Sequence, residues 1–158
     1  MGMVASAALM NDEDLFRSYS AELTRYANGL VGPFDAGDVV TDAWLKAVSS
    51  ANWDLVIDRR AYLYRTVLSV ATDHHRSTLS RRLREVKVAR PESFEAPLVD
   101  IDVLRAVNRL SIQQRAAVHL TYWNDLTSEE VAERMGVSVG TVKRHLSRAK
   151  KRLKEWLA

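Results

Sequence analysis

The sequence predicts an all-α chain: two small helical domains joined by a flexible linker, the C-terminal one a helix-turn-helix. Three observations predict it. Apolar residues recur at three- and four-residue steps along most of the chain, no stretch alternates as a strand does, and one proline-bearing polar segment interrupts the pattern near the middle.

The first helix carries Leu15, Phe16, Tyr19, Leu23, Tyr26, Ala27 and Leu30 on one stripe, and Gly29, Gly32 and Pro33 are expected to break it. A second starts near Asp35 or Asp38, buries Val39, Val40, Ala43, Trp44, Ala47 and Val48, and ends in the polar residues 49–54. Asp58 is a good N-cap for a third, which carries Ala61, Leu63, Tyr64, Val67, Leu68 and Ala71 and then runs into a basic segment. Residues 89–97, ARPESFEAP, have two prolines and no apolar period, as a linker between domains 10–88 and 98–158 would. Beyond it, residues 102–110 form a short amphipathic helix. Ser111 with Gln114, and Thr127 with Glu130, make capping boxes for the next two, the first reaching about Trp123 and the second ending at Met135.

Composition excludes several classes of function. The 158 residues contain no Cys, which rules out a disulfide scaffold, thiolate-bound zinc and a Cys nucleophile. No run approaches the ~18 apolar residues of a membrane span, and the first ten residues lack the basic start of a signal peptide, so no membrane insertion and a cytoplasmic location are expected. His74 and His75 are adjacent and point about 100° apart on a helix, the wrong spacing for sharing one metal. His119, on a helix between Val118 and Leu120, reads as a half-buried structural residue. No phosphate loop, nucleophile elbow or zinc signature is present, so neither an enzyme nor a cofactor is expected.

The net charge of +3 hides a strong segregation. Residues 11–58 carry nine acids and three bases, a net of −6; residues 74–90 carry six bases and one acid, +5; residues 141–158 carry seven bases and one acid, +6. Two separated basic segments suit a polyanion held at two places, because each neutralised phosphate releases counterions.

The most specific motif is LTSEEVAERMGVSVGTVKRHLSRAKKRL. Val131 and Met135 face inward, Ala132 is the small residue where the helices touch, Gly136 supplies the turn, Ser138 caps the second helix, and Val142 and Leu146 anchor it. That second helix presents Thr141, Lys143, Arg144, Ser147, Arg148 and Lys151, with Thr141, Lys143 and Arg144 placed for base edges and Arg148, Lys151 and Arg152 for the phosphate backbone. The competing reading is a protein-binding helical hairpin with a basic outer face.

This segment, with residues 110–126 before it, resembles region 4 of the extracytoplasmic-function (ECF) sigma factors of bacterial RNA polymerase. The resemblance runs from Leu110-Ser111-Ile112-Gln113-Gln114-Arg115 to Val139-Gly140-Thr141-Val142-Lys143 and Leu146-Ser147-Arg148-Ala149. Leu15-Phe16-Arg17 and the run from Asp38 to Ala47 are similar to region 2 and its polymerase-binding helix. Ala61-Tyr62-Leu63-Tyr64-Arg65 and Ala71-Thr72-Asp73-His74-His75-Arg76 are similar to the promoter-melting segment. The chain departs from the pattern at Thr41, where relatives usually carry Gln or Glu, and at Thr66-Val67-Leu68-Ser69, where they tend to read Ile-Ala-Arg-Asn.

The resemblance implies a promoter-specificity subunit without catalysis of its own. Core RNA polymerase would be met at its clamp and flap regions, the clamp through Asp38, Thr41, Asp42 and Leu45. The minus-ten element would be met by Arg59, Arg60, Tyr62, Arg65, His74, His75 and Arg76, and the minus-thirty-five element by the second helix of the helix-turn-helix. Melting needs surface to receive unstacked bases, for which Trp53, Tyr62 and Tyr64 are the aromatic candidates, with core packing as the alternative for each. An anti-sigma factor lodged between the lobes is a further implied partner. The competing class is a helix-turn-helix regulator or sigma mimic that binds DNA or an inhibitor without initiating. A response-regulator receiver would need strands ending in Asp, and the first half of the sequence has none.

Overall fold

The computed structural model describes residues 10–84 and 101–158, and these residues contain helices and no strand. The expected linker at 89–97 and the domain boundaries beside it lie outside the described residues.

Helix α1 spans Asp12–Val31. Asn11 caps it, its side chain accepting from the Asp14 amide at 2.8 Å, and the acids Asp12, Glu13 and Asp14 sit where the helix dipole favours negative charge. Gly29 does not break this helix, contrary to the sequence expectation: the helix continues to Val31 and stops at Gly32, which has a φ of 91°. Helix α2, Ala36–Val48, buries Ala36, Val39, Val40, Ala43 and Ala47. A 3-10 turn at Trp53–Leu55 leads to α3, Arg59–Arg84, whose start is capped by Asp58 accepting from the Ala61 amide at 3.0 Å. The first half of α3 packs against α1 and α2 through Leu63, Tyr64, Val67 and Ala71; from Thr72 to Arg81 no residue is buried, so its basic half projects.

The second group begins with α4, Ile101–Asn108, and α5, Ile112–Val118, continued by a π-helical turn at His119–Trp123. Only half of the capping box expected at Ser111 forms. Its hydroxyl accepts from the Gln114 amide at 3.2 Å, but Gln114 is buried and its Oε1 has no hydrogen-bond partner. At α6, Ser128–Met135, both halves of the box are made by Thr127 and Glu130. Gly136 then adopts the left-handed conformation, φ 71°, that an L side chain resists, and Ser138 opens α7, Val139–Leu157.

Leu110, Val107, Val118 and Ala149 form a small core between α4, α5 and α7, where Arg109 lies 4.1 Å over the Trp156 ring. The larger core is shared: Ile112, Leu120, Val131 and Val142 belong to the same buried cluster as Leu15, Leu30, Tyr64 and Val67.

Candidate nucleic-acid interface

The helix-turn-helix is built as its sequence requires. Val131 and Val142 are wholly buried and meet Ala132 and Met135 across the turn, which fixes how α7 leaves α6. The Ser138 hydroxyl accepts from the Thr141 amide at 3.1 Å and bonds the Thr141 hydroxyl at 2.9 Å. Thr141 is therefore half-buried and engaged by the cap. Lys143, Arg144, Ser147, Arg148 and Lys151 are all exposed, and their spacing of three and four places them along one side of α7. His145 lies between them, its pKa lowered first by burial and then by Arg148 and Arg144, which keeps further positive charge off this face.

The cations of α3 are disposed quite differently. Arg59 is largely covered, lies 4.6 Å over the Trp53 ring, and stands 3.8 Å from both Asp12 and Asp54. Arg60 donates to Glu22 through Nη2 at 2.8 Å and Nε at 3.2 Å, and the same carboxylate oxygen accepts from the Tyr64 hydroxyl at 2.7 Å. Burial and that bond to Glu22 raise the Tyr64 pKa, so the phenol stays a donor. Arg65 donates to the Glu133 carbonyl at 2.9 Å while its guanidinium stands 5.8 Å from the centre of the Tyr62 ring. His74 pairs with Asp35 at 3.2 Å, His75 is half-buried and Arg76 is exposed. The seven residues expected at the minus-ten element thus divide along α3: Arg60 and Arg65 are hydrogen-bonded within the protein, Arg59 is covered by Trp53 near two carboxylates, and Arg76 faces solvent.

Burial also separates the aromatic candidates. Tyr64 and Trp53 are core residues at 0% and 3% exposure, with no face open to receive a base. Trp53 donates from Nε1 to Asp12 at 3.0 Å, and Trp44 packs between it and Phe16. Tyr62, half-buried at the edge of this stack, keeps an accessible side.

Asp38, Thr41, Asp42 and Leu45 are all exposed, on the side of α2 away from Val39, Val40, Ala43 and Ala47. Leu45 is 56% exposed, an apolar side chain among acids. Sequence reasoning missed Phe34, Leu55 and Ile57, each 78% exposed at the two ends of this helix's connections. Their signal was apolar residues in the two connections flanking α2, Phe34 before it and Leu55 and Ile57 after it. It also missed Glu22 and Arg115, for which no local signal exists because their partners lie far along the chain. Among the described residues, no helix is long and apolar enough to cross a membrane and no group of three or more His, Asp or Glu could hold a metal ion.

The arrangement has close counterparts among known proteins. The family model for sigma-70 region 2 matches residues 15–82, and that for sigma-70 region 4 matches residues 100–153. The chain is 33% identical over 164 residues to the RNA polymerase sigma-E factor of Streptomyces antibioticus, covering 98% of this chain and 88% of that protein. It is 29% identical over 163 residues to the ECF RNA polymerase sigma factor SigL of Mycobacterium tuberculosis, covering 95% and 89%. Among solved structures, the sigma factor RpoE in complex with the anti-sigma factor NepR from Bartonella quintana aligns with a TM-score of 0.64 and 25% identity, over 92% of this chain and 95% of that one.

Proposed function

The chain belongs to the ECF sigma factors of RNA polymerase, and on that premise we propose which of its surfaces meet polymerase and promoter. The family's action is to bind core polymerase and direct it to promoters; the polymerase supplies the chemistry and this chain the specificity, in the cytoplasm where both promoter and polymerase lie. Domain 10–88 takes the minus-ten element and the polymerase clamp, domain 98–158 takes the minus-thirty-five element and the flap, and residues 89–97 join them. An anti-sigma factor is a further partner, as NepR is for RpoE.

One observation carries the proposal. Behind a fully capped helix-turn-helix, α7 exposes Lys143, Arg144, Ser147, Arg148 and Lys151 on one side, with no acid among them. Such a helix enters the major groove with its first turns near base edges and its later cations on phosphate. Arg144 is the residue best suited to a guanine, since its guanidinium can donate to O6 and N7 together. At the other end, Asp38, Asp42, Thr41 and Leu45 form an acidic, partly apolar face for the polymerase. Arg76, with His74, His75 and Tyr62, lines the minus-ten side. Arg59 and Arg60 support that side by holding α3 against α1.

The test is reconstitution. Core polymerase plus this chain should produce run-off transcript, without another sigma factor, from promoters recovered by genome-wide binding. Absence of product on every such promoter, with the chain still bound there, would mean a regulator or sigma mimic instead.

A further inference from the structure

Five arginines among the described residues stand over aromatic rings: Arg59 over Trp53, Arg60 over Tyr19, Arg65 over Tyr62, Arg109 over Trp156 and Arg134 over Tyr64. The first three also have oxygens close by, from Asp12 and Asp54, from Glu22 and from the Glu133 carbonyl. Arg134 is half-buried against the wholly buried Tyr64. Arg109 differs from the other four. It is exposed, its guanidinium lies 4.1 Å from the centre of the Trp156 ring, and among the described residues its side chain has no hydrogen-bond acceptor and no carboxylate partner.

The backbone that carries Arg109 is fixed on both sides. Arg115 donates to the Asn108 carbonyl before it at 2.8 Å and to the Leu110 carbonyl after it at 3.1 Å. The ring beneath it is fixed as well, since Trp156 and Leu153 pack against the small core of Val107, Leu110, Val118 and Ala149. Stacking engages the face of a guanidinium and leaves its N–H donors free in the plane. Arg109 is thus a cation held in position with its donors still open.

The neighbours of Trp156 point to the acceptor. Along α7, Arg148, Arg152 and Trp156 follow one another at four-residue steps, so they lie on one flank of the helix, about 6 Å apart. Arg148 and Arg152 are exposed cations expected on the phosphate backbone, and Arg109 continues their line from a different helix. Glu155, the single acid in α7, pairs with none of the three. The line runs for about 12 Å, the length of several phosphates on one strand.

We propose that Arg109 is a further DNA-contacting residue, contributed by α4 and seated by Trp156, which grips a phosphate of the minus-thirty-five duplex beside the groove that α7 enters. The inference rests on the chain's binding promoter DNA through α7. A guanidinium suits this role better than an ammonium, because its planar fork can stack on the ring and donate two bonds to one phosphate. Positioning by Trp156 reduces the side-chain entropy lost on contact. As a backbone contact Arg109 adds affinity and orientation and reads no base.

The test is binding of the full chain to a mixed-sequence DNA duplex of about 20 base pairs across a salt series. Arg109→Gln, Arg109→Lys, Trp156→Leu and Arg105→Gln are compared with the parent. Arg105 is an exposed cation of the same helix with no ring beneath it, and it controls for net charge. Arg109→Gln should reduce the salt slope by about 0.9, the equivalent of one phosphate contact. Arg105→Gln should leave the slope at the parent value. Arg109→Lys should keep the slope and lose affinity at every salt concentration. Trp156→Leu should weaken binding, and adding Arg109→Gln to it should cost less than Arg109→Gln costs in the parent. Arg109→Gln changes an exposed side chain, so it tests the contact even where Trp156→Leu loosens the fold.

An Arg109→Gln slope equal to the parent's overturns the proposal. It does so even when binding is weaker, since Arg109 would then only support helix packing. Equal losses of slope in Arg109→Gln and Arg105→Gln overturn it too, because the effect would be one of net charge. A parent chain that leaves the duplex unbound at low salt defeats DNA binding itself, whereas a parent that binds beside an unchanged Arg109→Gln defeats this contact alone.

Discussion

Arg115 and Leu30 are joined by a 2.6 Å hydrogen bond from guanidinium Nη1 to the carbonyl oxygen, across 85 residues of sequence. Through Nη2 the same guanidinium reaches the Asn108 carbonyl at 2.8 Å and the Leu110 carbonyl at 3.1 Å. A buried cation thereby closes the C-terminal ends of both α1 and α4, where helix dipoles concentrate negative charge. Its pKa is lowered by burial, yet the three carbonyls keep it satisfied in place of water.

Arg115→Met should therefore destabilise the chain by about 2–4 kcal/mol, because three buried acceptors lose their donor while the apolar stem is kept. Urea unfolding followed by far-ultraviolet circular dichroism checks it. Arg115→Lys should recover only part of the loss, since an ammonium lacks the planar fork that reaches three acceptors. Equal midpoints for all three chains would mean the carbonyls find water instead.

Glu22 gathers Arg60 and Tyr64 onto one carboxylate oxygen. Glu22→Gln should cost about 1–2 kcal/mol, the difference between charge-assisted and neutral hydrogen bonds at a partly buried site. Tyr64→Phe in the Glu22→Gln background should cost less than Tyr64→Phe alone, and a double-mutant cycle on urea midpoints measures that coupling. Arg60→Ala should lower stability more than it lowers DNA affinity. The opposite ranking would return Arg60 to the DNA surface.

His119 gives the contact between the two helical groups a pH dependence. Burial first, then the nearby Arg115 charge, push its pKa down to about 4, against a weaker opposing hydrogen bond with the Gly29 backbone; Trp123 stacks on its other side at 4.7 Å. A histidine depressed in the folded chain takes up a proton on unfolding. The stability it protects is thus complete above the ordinary histidine pKa near 6.5 and is lost as pH falls towards 4. The loss at the bottom of that window is about 3 kcal/mol. His119→Gln should flatten the stability profile between pH 6.5 and 4.5 relative to the parent, and subtracting the two profiles removes the carboxylates they share. Parallel profiles would place His119 in contact with water.

On α7, Arg144→Ala should weaken upstream-element binding by roughly 1–3 kcal/mol and relax base preference at one position. Lys151→Ala should weaken all sequences alike and reduce the salt slope by about 0.9 on duplex DNA. Footprinting titrations at several salt concentrations separate the two. An unchanged affinity for Arg144→Ala would remove that residue from base reading.

The helices and the helix-turn-helix were legible because their signals are local. Thr127 and Glu130 cap the helix they begin, Gly136 takes the turn its position demands, and Val131, Val142 and the α1 stripe from Leu15 to Leu30 are buried at their period. Charge segregation was equally plain, as it needs only counting along the chain. At Gly29 the same local logic misled: a glycine near a helix end reads as a stop, but here its missing side chain makes room for His119 from the other group.

What the sequence by itself determined about this protein is its set of helices, their buried faces, the exposed basic side of α7 and the family to which these patterns correspond. The tertiary structure alone decided which cations are available. Arg60 finds Glu22 across 38 residues, Arg65 finds Glu133 across 68, and Arg115 finds Leu30 across 85, whereas the cations on the outer side of α7 remain exposed. The physical reason is range. Helical periodicity and capping act over three or four residues and are written in the spacing, while the partner of a long, flexible cation is set by which helix the completed core brings beside it.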